Sequence, residues 1–206
     1  LQVLYAMGAS LICMALLRRL PTLALWLLGL ALIAGLEALW GPLGLPHGEG
    51  EITPMWGGLL FSSSFVTWSW LPSQFGLIFY PLLPWLGVML LGWAFGRWLL
   101  DQSGPDRDAR IANRLIVGGV LALTVFFVQR WFDGYGNYWL QRTDELLLRW
   151  LHVSKYPPSL AFCALELGVM ALCLAAFFRL PATQGSTRGP LLVFGQTALF
   201  LSLIHI

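Results

Sequence analysis

Ionisable side chains inside an apolar segment are costly in hydrocarbon, so they are the first residues to question. Three stand in such segments of this chain: Glu37, Glu166 and His205. Glu166 lies eight residues past Pro158, which is about 12 Å along a helix and too deep for easy escape to the surface. Ser159, Phe162, Cys163, Glu166 and Met170 recur at three- and four-residue spacing, which predicts a shared helical face and a polar stripe directed into a bundle. His205 lies fifteen residues past Pro190, about 22 Å along its own helix, and so reaches the same half of a bundle as Glu166. A carboxylate beside an imidazole takes and returns a proton near neutral pH. The plainer alternative is a hydrogen bond between two helices. Glu37 sits three residues from the end of its segment, beside Trp40, and is expected to snorkel to water.

Two stretches supply groups that suit a polar ligand. In "QRWFDGYGNYW", Gln129 to Trp139, two glycines permit tight turns while Asp133, Tyr135 and Asn137 offer donors and acceptors among aromatic rings. That mixture fits a sugar-like or amphiphilic ligand, and equally an interfacial turn. In "SKYPPSLAF", Ser154 to Phe162, the first proline biases Tyr156 away from helix, and Pro158 is expected at the first helical position. Lys155 and Tyr156 are thereby held at a membrane surface, either as anchors or above a pocket. Cys13, Cys163 and Cys173 lie inside apolar runs with no CxxC pair and no histidine at ligand spacing, so they read as packing residues and no metal is expected. No GxSxG, HExxH, P-loop or dinucleotide fingerprint is present.

The elements that must carry these groups are written in the composition. Of 206 residues, 58% are hydrophobic and 11% charged, against about 25% charged in soluble domains. So much apolar surface needs the bilayer as a second solvent. Six segments approach the roughly 20 apolar residues that span hydrocarbon: 1–17, 22–40, 76–100, 112–131, 158–178 and 190–206. Their length, their Leu and Ala content and the lack of two-residue alternation predict helices. The fold class is therefore all-α, a polytopic transmembrane helix bundle of about six spans, forming a single integral membrane domain over 1–206. The first and last spans read as truncated, with N-terminal spans and the C-terminal end expected beyond this fragment. The sequence shows no repeat of 20–50 residues.

Charge sets the orientation. The connectors after the first, third and fifth spans hold Arg18, Arg19, Arg97, Arg107, Arg110, Arg114, Arg179 and Arg188, which predicts that they face the cytoplasm. The connector 41–75 has no Lys or Arg, and its Trp56, Trp68 and Trp70 suit an interfacial flap on the outer side. Arg130, Arg142, Arg149 and Lys155 in the fourth connector are the exception. A net charge of +2, with no basic run interleaved with aromatics, argues against nucleic acid. The bilayer is the expected partner, and self-association into a homo-oligomer is left open.

"LQVLYAMGASLI", "YPLLPWLGVMLLGWAFGRWL", "NYW…LHVSKYPPSLAF…LELG" and "GPLLVFGQTALFLSLIHI", in this order and spacing, resemble a bacterial family of membrane proteins related to the catalytic domain of heparan-alpha-glucosaminide N-acetyltransferase. The resemblance implies a multi-helix acyltransferase of the bacterial inner (plasma) membrane, with acetyl-CoA as donor and a sugar or glycan as acceptor. The histidine that family uses in catalysis lies upstream of Leu1, so His205 and Glu166 are the catalytic candidates within this chain. Lys155, Tyr156, Asp133, Tyr135 and Asn137 are then candidates for the acceptor. Arg97, Arg107, Arg110 and Arg114 become candidates for the phosphates of coenzyme A, beside their ordinary positive-inside role. A second reading is a non-catalytic transporter or flippase-like protein whose intramembrane Glu and His relay protons or bind solute.

Overall fold

The computed structural model describes residues 2–40, 42–43, 52–62, 64–68, 71–132, 134–138, 140 and 146–180. Helices α1 (Gln2–Leu17) and α2 (Thr22–Trp40) are followed by β1 (Ile52–Thr53), α3 (Met55–Leu60), β2 (Ser64–Trp68) and β3 (Leu71–Ile78). Then come α4 (Leu82–Leu100), α5 (Arg107–Phe132), α6 (Leu146–Leu151) and α7 (Leu160–Arg179). Helices α2, α4, α5 and α7 are long and apolar enough to cross a bilayer, and α1 is a shorter apolar helix. Outward-facing Leu11, Leu16, Leu27, Val117, Leu121 and Phe177 are exposed, as lipid-facing positions must be when the surrounding solvent is hydrocarbon.

Several boundaries differ from the sequence reading. The third span begins at Leu82 rather than residue 76, because 71–78 is drawn into strand β3. Part of the expected interfacial flap is thus a three-stranded sheet, in which β1 and β2 pair in parallel and β2 and β3 antiparallel. Pro158 is not the first residue of α7. Ser159 caps that helix in extended geometry, its hydroxyl accepting from the Phe162 N–H at 3.1 Å, and a serine cap outcompetes proline because it satisfies an otherwise orphaned donor. The expected span 190–206 lies outside the described residues.

The four long helices among the described residues pack as two close pairs, α2 with α4 and α5 with α7, while α1 leans on α4 and α2 meets α7. Each pair crosses at a reciprocal glycine contact. A Cβ built on Gly29 would stand 3.1 Å from the Gly87 carbonyl and 2.7 Å from Leu91, and one on Gly87 would stand 3.2 Å from the Gly29 carbonyl. In the second pair, Gly119 would meet the Gly168 carbonyl at 3.0 Å and Leu172 at 2.9 Å, while Gly168 would meet Leu123 at 3.0 Å. In all four cases an apolar residue four positions beyond one glycine fills the notch left by the other. Backbones approach this closely in membranes only where side chains are absent, and dispersion then holds the helices together. The crossing recurs in two hairpins, a repeat too sparse for the sequence to display. Cores form on either side: Met14, Leu25, Leu86, Leu90 and Ala94 in one, and Ile111, Ala112, Leu115 and Ala175 in the other.

Polar groups collect at the two ends. At one end Arg97 donates to the Leu20 carbonyl at 2.7 Å, Arg107 to the Leu99 carbonyl at 3.3 Å, and Arg110 to the Ser103 carbonyl at 2.6 Å. Arg179 joins them there through Asn113 Oδ1 at 2.8 Å. The Arg107 bond meets a carbonyl in the last turn of α4, and the Arg97 and Arg110 bonds brace connector carbonyls. The opposite end carries the 134–138 loop and the turn before α7.

Candidate functional site

At the end opposite those arginines the site is built around a buried acid. Glu37, in the last turn of α2, is 6% exposed. The expectation that it snorkels to water is corrected: the 134–138 loop folds over it, and the Gly136 N–H donates to its Oε2 at 2.7 Å. The N–H groups of Asn137 and Tyr138 also bear on the carboxylate. Such a run of converging N–H groups needs unusual backbone angles, and Gly136 and Tyr138 adopt φ of 97° and 47°. The loop is tethered elsewhere too. Tyr135 donates its hydroxyl to the Ala34 carbonyl, Gln129 donates to the Tyr135 carbonyl at 2.7 Å, and the Ala161 N–H donates to the Gly136 carbonyl at 2.9 Å. The Trp40 and Tyr138 rings pack at 4.7 Å. Burial, with the Glu37 carboxylate nearby, pushes the Tyr138 phenol well above its ordinary range.

Asn137 passes this order on to the next stretch. Its Oδ1 accepts from the Ser154 N–H at 2.8 Å and from the Ser159 hydroxyl at 3.4 Å, while its Nδ2 donates to the His152 carbonyl at 3.3 Å. The Ser159 hydroxyl therefore donates to Asn137 and accepts from Phe162, joining loop to helix cap. Arg130, 1% exposed, fixes the other side by donating to the Trp150 carbonyl at 3.1 Å.

This scaffold presents Lys155 and Tyr156 at the surface, both exposed. The Tyr156 hydroxyl stands 3.1 Å from that of Tyr80, and their rings meet edge to face at 5.1 Å. Phe79 at 5.9 Å from Tyr156 and Trp85 at 5.5 Å from Tyr80 complete an aromatic cluster, with Lys155 Nζ 5.3 Å from the centre of the Tyr156 ring. The hydrogen bond to Tyr80, with Lys155 beside it, draws the Tyr156 phenol below its ordinary value. Tyr80 is the complementary partner, pushed up to about 12 by the same bond and by burial. Rings with exposed edges, two hydroxyls and an ammonium can hold a polyhydroxylated ligand by stacking and hydrogen bonds.

The candidate stripe on α7 divides. Ser159 and Cys163 are buried and Phe162 half-buried, but Glu166 and Met170 are exposed among the described residues. The physical reason is the helix contact: α7 turns its small residues Ala161, Ala164, Gly168 and Ala175 inward, and Glu166 falls on the opposite side of the helix. Asp133 and His205 lie outside the described residues. The structure brings Tyr135, Asn137, Lys155 and Tyr156 to one end, and to them it adds Glu37, Tyr80 and Ser159. Tyr80 stands in the quoted "YPLLPW" stretch and Ser159 in "KYPPS", so their proximity was half written. Glu37 carried the signal of an acid in an apolar run, but nothing local pairs it with a loop 99 residues away.

A cleft of about 630 Å³ runs between the helix pairs, lined by Trp26, Val88, Phe95, Trp98 and Leu174, with Arg114 the one cation on its wall among the described residues. Arg114 Cζ lies 6.0 Å from the Trp98 ring and its Nη1 lies 3.4 Å from Gln102 Oε1. Arg97, Arg107 and Arg110 direct guanidinium donors to backbone carbonyls instead. Among the described residues no three His, Cys, Asp or Glu side chains gather as metal ligands.

Residues 1–131 match the family described as heparan-alpha-glucosaminide N-acetyltransferase, catalytic. No curated protein and no solved structure matches the chain.

Proposed function

Since the chain belongs to the heparan-alpha-glucosaminide N-acetyltransferase catalytic family, we propose that it transfers an acetyl group from acetyl-CoA to a sugar or glycan at the outer side of a bacterial inner membrane. Its function is of the membrane acetyltransferase type. What supports the finer reading is the convergence of Tyr80, Tyr156 and Lys155 over the Asn137 loop, at the end opposite the arginines. An acceptor stacked on these rings has its hydroxyls within reach of two phenols and an ammonium.

The thioester supplies an activated acyl carbon when the donor is bound. The acceptor amine or hydroxyl then forms a bond to that carbon, the carbon–sulfur bond breaks, and the acceptor's proton passes to a base while the thiolate is protonated. His205 and Glu166 are the proposed base and its support. Arg114 fits the phosphate end of the donor best, because it lines the cleft with donors to spare while the other three arginines brace loops. The test is acyl transfer from labelled acetyl-CoA to a panel of amino sugars and glycans in sealed vesicles containing the full-length protein. Label on an acceptor confined to the outer side supports the reading. Passage of an intact sugar without label would instead support transport.

A further inference from the structure

We infer that Glu37 is a positioning residue of the acceptor site, a latch that holds the 134–138 loop and, through it, Lys155 and Tyr156. The inference rests on the acceptor reading above. Four links carry it. The Gly136 N–H donates to Glu37 Oε2 at 2.7 Å in a buried setting. Asn137, the next residue, takes the Ser154 N–H and the Ser159 hydroxyl on one oxygen. Ser154 immediately precedes Lys155 and Tyr156, and its own hydroxyl donates to the Pro157 carbonyl at 3.1 Å, closing the turn around them. Tyr156 then meets Tyr80 at 3.1 Å. The chain of contacts runs from a span of the first hairpin, through a loop of the second, and back to the first.

A carboxylate is suited to this task because it accepts several N–H bonds at once. Gly136 sits at a positive φ, and a Cβ there would stand 3.1 Å from the Gln129 side chain, so the loop adopts this path only with glycine. The second oxygen, Oε1, is buried and makes no hydrogen bond among the described residues, and the same holds for the nearby Tyr138 hydroxyl. Uncompensated burial of a polar atom is unfavourable. It persists here because the opposite oxygen is committed to the loop.

The experiment compares Glu37→Leu, Glu37→Gln and Glu37→Asp in the full-length protein at matched expression, by amide hydrogen exchange and by transfer kinetics. Glu37→Leu removes the acceptor and should speed exchange of the Gly136 amide on the order of tenfold or more, while helices α4 and α5 keep their protection. It should raise KM for the acceptor with kcat changed less than about twofold. Glu37→Gln, whose side-chain carbonyl still accepts the Gly136 N–H, should restore both. Glu37→Asp keeps the charge but draws the carboxylate one methylene back from the Gly136 N–H, so it should also speed exchange of that amide and tests the latch where Glu37→Leu does not fold. Unchanged loop exchange in Glu37→Leu, or in Glu37→Asp where that variant must stand in, overturns the latch. Loss of kcat in Glu37→Gln with the loop still protected overturns it too, since that outcome makes Glu37 a proton-transfer group. Failure of wild-type protein to transfer any acyl group counts against the acceptor reading, and hydrogen exchange still decides the latch.

Discussion

Tyr80 and Tyr156 stand 76 residues apart in the chain and 3.1 Å apart at their hydroxyls. Each precedes a proline and opens the descent into a long helix, α4 for one and α7 for the other. Two hairpins thus place the same dipeptide, Tyr-Pro, against its counterpart.

This bond fixes the titration of both phenols. Tyr156 is held below its ordinary value chiefly by the Tyr80 hydroxyl, which favours the phenolate, while Tyr80 is pushed up to about 12. Tyr80→Phe should therefore raise the pH at which Tyr156 ionises, followed as the phenolate absorbance lost in a Tyr156→Phe reference. An unmoved or lowered midpoint refutes the coupling. Acyl transfer should fall about tenfold in Tyr156→Phe, the loss of one hydrogen bond to the acceptor.

Asn137 serves three partners, Ser154, Ser159 and His152. Asn137→Ala should destabilise the protein by about 1–3 kcal/mol, because buried partners are left unsatisfied. Asn137→Asp keeps the Oδ1 acceptor but sets a carboxylate oxygen against the His152 carbonyl in a buried site, so its thermal midpoint in detergent should also fall below that of wild type. Equal midpoints for Ala and wild type would remove Asn137 from the scaffold.

The glycine crossings make a sharp contrast among positions of one residue type. Gly119→Ala and Gly29→Ala push a methyl into a partner backbone and a leucine, an overpacking of about 1–3 kcal/mol. Gly92→Ala and Gly96→Ala meet nothing within 4 Å and should be neutral or stabilising, since alanine favours helix by up to about 1 kcal/mol. Thermal unfolding in one detergent ranks the four. The reverse ranking refutes the crossings.

Orientation is tested in intact cells. A cysteine replacing exposed Met55 should react with an impermeant thiol reagent, and one replacing exposed Ser103 should not. The opposite pattern inverts the proposed topology.

Arg114→Gln should weaken coenzyme A binding with little change in thermal stability, whereas Arg110→Gln should lower stability, because its guanidinium braces the carbonyls of Ser103 and Pro105. Binding measured by calorimetry on purified protein separates the two. Undiminished binding in Arg114→Gln rules out the phosphate role.

Helix content and four long spans were legible because length and apolarity are local quantities, summed over some 20 residues. Strand β3 was not, since "LPSQFGLI" is apolar enough to extend the following span and its pairing with β2 is tertiary. The α7 boundary failed for a narrower reason: Pro158 and Ser159 both suit a helix start, and the choice between them depends on a hydroxyl bond that reaches to Asn137. Glu166 and Glu37 are each an acid in an apolar run, and depth along the run, the one local difference between them, pointed the wrong way. Their settings diverge because Glu37 meets a loop brought across from the other hairpin, while Glu166 faces away from the small-residue contact. Residues far apart in sequence decide such cases, and no window along the chain contains both.

The paired glycines also decide how the molecule can deform. Within each hairpin, backbone rests on backbone at the crossing, so the two helices cannot slide without collision. Across the seam stand side chains and a cleft, with hydrogen bonds to Glu37, Ala34 and Tyr80 at one end. The compliant coordinate is therefore a tilt of one stiff hairpin against the other, with Tyr80 and Tyr156 at its edge, one on each side. Spin labels placed on different hairpins should give a broader distance distribution than two on the same one.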